Sequence, residues 1–305
     1  MESFTGFTVV AVAILVGWIV GRTDLLGEHA RPVLARLAFF VLSPFLLFVV
    51  LAQADVDNLF SALLPVSAIV AATVIAVYVL IARFAWRRSV GETVIGALSA
   101  GQVNSSNIGI PVSLYLLGSA AYPAPLILMQ LLVFTPITMM ILDAATTTQT
   151  SLWRVIVRVA TNPIVVASVL GTLVAVSGIE LPAIVLQPAD LIADACVPLL
   201  LIAYGMSLHG QRIFAPSGRR RDIVLATTLN LIVMPVLAWG VARFVFGLSA
   251  HDVLVVTVLA ALPTAQNVFN YSQRYDVGET ISRDTVFLTT IGSVPILIFA
   301  PVLLG

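Results

Sequence analysis

Two short segments of this chain carry side chains suited to gripping a polar solute. The first runs Asn104-Ser105-Ser106-Asn107-Ile108-Gly109-Ile110-Pro111; the second, about 160 residues later, runs Leu262-Pro263-Thr264-Ala265-Gln266-Asn267. Each sets a proline beside amides and hydroxyls in the middle of an apolar run. Proline has no N–H and its ring clashes with the carbonyl four residues earlier. Pro111 therefore frees the carbonyl of Asn107, and Pro263 that of Leu259. In hydrocarbon each unpaired backbone group costs several kcal/mol, so such breaks survive where they line a cavity. A half-helix that restarts after a break offers free N–H groups and partial positive charge, which suits a carboxylate. Asn and Gln amides add neutral donors and acceptors without a buried charge. Taken singly, proline with small polar neighbours often serves only to kink and pack a membrane helix. Recurrence at matching positions in two halves points instead to the midplane binding site of a carrier.

Membrane spans must position these segments. Of 305 residues, 60% are hydrophobic and 10% charged, far below the charged fraction of a water-soluble domain, about a quarter. Uncharged stretches near the length needed to cross, roughly 20 residues, occur at 3–21, 37–54, 58–82, 159–179, 223–242, 253–273 and 285–305. The charge-free run 93–142 accommodates two more, divided by the turn sequence 118–125, and 188–208 adds one that contains Asp190 and Asp194. The expectation is an all-α membrane protein of ten spans. Numbering loops alternately puts 14 of the 15 arginines on one face and Arg243 alone on the other. The positive-inside rule makes the arginine-rich face cytoplasmic and both termini extracytoplasmic, in a plasma membrane.

Shifting the sequence by 160 aligns Ala82-Arg83-Phe84 with Ala242-Arg243-Phe244, Glu92 with Asp252, Asn107 with Asn267, Tyr115 with Tyr275 and Gly118 with Gly278. Five spans per half is an odd number, so the second half enters from the opposite side. The reading is a 5+5 inverted repeat: residues 1–144, a polar cytoplasmic linker at 145–158, and residues 159–305. Its fourth and ninth spans, broken at one depth, would cross.

The first motif together with Ala-Leu-Pro-Thr-Ala-Gln-Asn-Val-Phe-Asn-Tyr-Ser-Gln-Arg-Tyr at 261–275 resembles the auxin efflux carrier family, over the whole chain. That family includes plant auxin exporters and bacterial carriers associated with small carboxylates such as malonate or malate. The resemblance implies that spans 1, 2, 6 and 7 form a dimerising scaffold and that spans 3–5 and 8–10 move like an elevator. It also implies that Asn104 or Asn107 on span 4 helps hold substrate, Asn104 being better in register with Gly109-Ile110-Pro111, and that Gln130 on span 5 faces the site. The lysine and aspartate pair of plant exporters on span 3 has no match in 58–82, which argues against indole acetate.

The candidate substrate-binding residues are thus Asn104, Asn107, Pro111, Gln130, Pro263, Thr264, Gln266 and Asn267. Asp194 is a candidate for coupling a proton or sodium ion, since carboxylates inside a membrane are costly; the competing reading is a wet vestibule shared with Asp190. The chain has no lysine and one cysteine, Cys196, which excludes a Schiff-base site, a phosphate-binding P-loop, an intrachain disulfide and a thiolate metal cluster. Zincin and nucleophile-elbow motifs are missing. The expected function is transport of a small organic anion, with no enzymatic activity, cofactor, metal or nucleic acid. The alternatives are a sodium- or proton-coupled symporter of the bile acid type and an anion channel.

Overall fold

The computed structural model describes residues 2–27, 29–53, 63–146, 153, 157, 160–179, 181–207 and 218–304. Most of the expected linker, 145–158, lies outside them. In chain order the helices are α1 (Glu2–Thr23), α2 (Pro32–Ala52), α3 (Leu63–Ala85), α4 (Val90–Gly101), α5 (105–117), α6 (Ala124–Thr146), α7 (Pro163–Ser177), α8 (Ala183–Met206), α9 (Arg220–Val245), α10 (Ala250–Ala260), α11 (Gln266–Tyr275) and α12 (Glu279–Leu304). Among the described residues the only β pairing is an isolated antiparallel bridge between Val103 and Thr264. Among the described residues six helices, α2, α3, α6, α8, α9 and α12, are long and apolar enough to cross a membrane. The expected fourth and ninth spans are each divided into two shorter helices, α4 with α5 and α10 with α11.

Proline shapes these helices in a repeated way. Wide π turns cover Ala38–Leu42, Ser105–Gly109, Gln130–Phe134 and Leu229–Val233, and in each case the second residue after the turn is proline: Pro44, Pro111, Pro136 and Pro235. Proline withholds a donor from the preceding turn and crowds its carbonyl, and widening that turn by one residue relieves both. Pro111 therefore does not make the break, as its position suggested. The interruption lies upstream at Gln102–Asn104, where Gln102 is extended (φ −103°, ψ 106°), while Pro111 sits in a helix that continues. Pro263, by contrast, sits inside its own break.

Offset by 160 residues, the chain repeats its local geometry. The π turns Ile81–Ala85 and Val241–Val245 end at Trp86 (φ −102°, ψ −6°) and Phe246 (φ −97°, ψ −14°). Left-handed residues follow, Arg87 at φ 53° and Gly247 at φ 61°. Ser89 and Ser249 then cap α4 and α10 with the same backbone angles within a degree, each accepting a hydrogen bond from the N–H of an acidic residue three positions on, Glu92 and Asp252.

Contacts divide the chain into two units. The first comprises residues 1–61, 106–128 and 157–211. In it α1 packs along the second half of α8, and α2 packs against α7 and the first half of α8. Gly17 and Gly205 let α1 and α8 approach to backbone contact: a Cβ on Gly205 would lie 2.9 Å from the Gly17 Cα and meet the Ile14 carbonyl. The second unit comprises 62–105, 129–156 and 212–305. There α4 packs with α3, α6, α9, α11 and α12 around Ile95, Leu98, Leu142, Ala265 and Val268.

Candidate functional site

A helix that stops inside a membrane leaves its last carbonyls without intrahelical partners, and each has to be met by another group. In the second unit four carbonyls at and just beyond the end of α4 are met by other segments. The Ser99 oxygen accepts from the Thr264 hydroxyl, and the Ala100 oxygen from the Asn230 amide at 3.5 Å. The Gln102 oxygen accepts from Ala265 N–H at 2.8 Å, and the Val103 oxygen from the Gln130 amide at 3.0 Å. In return Asn104 N–H donates to the Pro263 oxygen at 2.7 Å. The two interrupted segments are therefore paired backbone to backbone, by the very groups that helix would have used internally.

Side chains fix this pairing from behind. Gln130 Oε1 accepts from the Ser105 hydroxyl at 3.0 Å, so one amide on α6 holds the end of the break on both sides. Thr264 N–H donates to the Thr289 hydroxyl of α12 at 3.0 Å. Thr135 on α6 and Tyr271 on α11 join their hydroxyls at 2.9 Å. Gln102, Asn104, Ser105, Gln130, Pro263 and Thr264 are all buried. Beyond the bridge the burial relaxes: Gln266 and Asn267, the first residues of α11, are half-exposed, and so are Ser106 and Asn107 at the corresponding place in α5. The start of α11 thus presents amide side chains beside the free N–H groups of a helix N-terminus. Such an arrangement can bind an anion without a formal positive charge.

Of the expected residues, the structure gathers Asn104, Gln130, Pro263, Thr264, Gln266 and Asn267 in the second unit, whereas Asn107 and the buried Pro111 belong to the first. Asp194 is exposed on α8 in the first unit, one turn from the half-exposed Asp190. Among the described residues no group of three or more His, Cys, Asp or Glu side chains is arranged to hold a metal ion.

Sequence reasoning passed over Asn230 and Thr289. Asn230, fully buried on α9, is a lone amide in an apolar run. Thr289 lies on a buried face of α12 with Thr285 and Ser293. That Ser/Thr spacing of four residues along one helix was the available signal. Also passed over was the buried Asp222 at the start of α9, which takes a two-pronged bond from Arg88 at 3.0 and 2.6 Å, while Arg219 pairs with Glu92. The Asp222 carboxylate holds the Arg88 guanidinium above its ordinary pKa. Gly96 makes room beside this pair, since a Cβ there would overlap the hydroxyl of Tyr78, itself 3.5 Å from Asp222.

The model of the family described as membrane transport protein matches residues 4–151 and again 143–301. A putative malonate transporter of Rhizobium meliloti (strain 1021) is 29% identical over 137 residues, 45% of this chain and 42% of that protein. An uncharacterized transporter of Methanothermobacter thermautotrophicus is 24% identical over 287 residues, 92% of each chain. A probable auxin efflux carrier component 5b of Oryza sativa subsp. japonica is 28% identical over 165 residues, 51% of this chain and 44% of that one. The chain thus matches under half the length of the malonate and auxin relatives, and nearly all of the archaeal one.

Proposed function

We propose that this chain, which belongs to the membrane transport protein family of the auxin efflux carriers, moves a small organic anion across the plasma membrane by alternating access. The observation that carries the reading is the backbone pairing of residues 102–104 with 263–265. It makes a polar, water-accessible helix start at Gln266 and Asn267 affordable in an otherwise apolar unit. A carboxylate of the substrate is held by the N–H groups at the start of α11 and by the Asn267 amide, with Asn104 supplying a further amide. The name of the Rhizobium relative supports a small dicarboxylate of the malonate kind as the first compound to try. An elevator motion is supported by the two contact units: the second, which carries the pairing, is the moving body, and the first is the scaffold, through which two copies associate.

The test is uptake of radiolabelled malonate and related carboxylates by proteoliposomes. Asn267→Ala and Asn104→Ala are expected to cut uptake more than about tenfold, the equivalent of roughly 1.4 kcal/mol of lost binding, with unchanged elution in gel filtration. Undiminished uptake by both variants would remove the site assignment.

A further inference from the structure

Helices α9 and α12 do not close against each other along their length. Between them lies a crevice of about 450 Å³ whose walls include Leu231, Pro235, Val236, Trp239, Pro295 and Phe299. Both helices are long and apolar enough to cross a membrane, and each contributes a proline to the gap. Gly292 of α12 is covered by Leu231, which forms the floor. The mouth faces outward: Ile232 is 58%, Val236 62% and Phe299 60% exposed. The one hydroxyl on the wall, Thr257, donates to the Val253 carbonyl of its own helix, so the crevice offers no free hydroxyl donor. Its volume is comparable with that of one palmitoyl chain.

At one end of this apolar slot the chemistry changes. Trp239 stacks edge-to-face on Phe244 at 5.4 Å, and the exposed Arg243 follows one turn after Trp239. Trp and Arg together at the end of a span mark the level of lipid headgroups. Arg243 makes no hydrogen bond or ion pair with any described residue, whereas its counterpart in the first half, Arg83, donates to the Arg88 carbonyl at 3.2 Å. The positions that match Ile232, Val236 and Trp239 in that half are the smaller Ala72, Ala76 and Val79.

We propose that the α9–α12 crevice is a phospholipid site, in which one acyl chain lies along Ile232, Val236 and Trp239 and the phosphate of the same lipid pairs with Arg243. Arginine recognises phosphate through two parallel N–H donors, and an apolar wall with no free polar group excludes the substrate anion. The lipid fills the gap left by Pro235 and Pro295, and so stiffens the two helices whose Asn230 and Thr289 support the paired interruption.

Fluorescence quenching tests this directly. The chain has four tryptophans; replacing Trp18, Trp86 and Trp153 with Phe leaves Trp239 as the reporter. The protein is reconstituted in phosphatidylcholine vesicles containing rising fractions of phosphatidylglycerol, or of diacylglycerol, brominated on the same acyl chain. The expected result is quenching by the brominated phosphatidylglycerol that saturates at low mole fraction. Arg243→Gln, an exposed change that leaves packing intact, should raise the half-saturating fraction roughly fivefold. Ala300→Phe, which fills the slot, should leave only the linear dependence of bulk lipid. Linear quenching in the parent protein overturns the proposal. So does equal saturation by brominated diacylglycerol with no effect of Arg243→Gln, because the phosphate then plays no part.

Discussion

Thr264 does more than its place in a sequence motif suggests. Its hydroxyl caps the Ser99 carbonyl, its N–H is held by Thr289, and its backbone forms the bridge to Val103. The Ser99 carbonyl has lost its helical partner because the chain turns extended at Gln102, so nothing within α4 can replace the threonine. Thr264→Val keeps the shape and removes the donor, leaving a buried carbonyl unmet at a cost of about 1–3 kcal/mol. Thr264→Ser keeps the donor and is expected to cost less than half of that. Thermal unfolding in detergent should therefore show a clear drop in Tm for the valine variant and a small one for serine. Equal drops would mean that the methyl packing, and not the hydrogen bond, is what matters. Part of this was legible beforehand, because the amides and hydroxyls of both motifs stand out in an apolar chain. The caps on Ala100 and Val103 were not: Asn230 and Gln130 reach those carbonyls from helices 130 and 27 positions away in sequence, and no periodicity encodes such a meeting.

Among the elements, glycine and proline decide how closely helices approach and where they open. The sequence marks every proline, yet it does not say which one breaks a helix. Pro44, Pro111, Pro136 and Pro235 are absorbed by π turns just before them, while Pro263 lies in a true gap, where its own carbonyl accepts from the Asn104 N–H. Glycine is equally ambiguous until its neighbours are known. Gly205 is pressed against the backbone of α1, whereas nothing lies within 4 Å of a Cβ placed on Gly240. Gly205→Ala should cost about 1–3 kcal/mol by forcing α1 from α8, and hydrogen exchange should quicken in those two helices. Gly240→Ala, in a helix with open space beside it, should be neutral or stabilising by up to about 1 kcal/mol. Similar Tm values for the two variants would show that the α1–α8 contact yields without strain.

For the molecule as a whole, the legible signal was symmetry. Residues 81–90 and 241–250 share their π turn, their left-handed residue, their serine cap and the same order of buried and exposed positions. Similar local sequences dictate this without reference to a membrane. What local geometry does not specify is direction, and direction is where the inverted repeat makes its strongest claim. An odd number of spans per half would turn the second copy over, so that equivalent residues face opposite compartments, as the distribution of arginines leads one to expect. The chain is well suited to a direct check. Its single cysteine, Cys196, is fully buried, so a membrane-impermeant maleimide has little to react with in the parent protein. Val90 and Ala250 begin α4 and α10 as equivalent, exposed positions. In intact cells Ala250→Cys is expected to label from outside, and Val90→Cys only after the membrane is permeabilised. Labelling of both from the same side would leave the local repeat standing but make it a parallel one. The two interrupted segments would then have to meet by some route other than the inversion of one half upon the other.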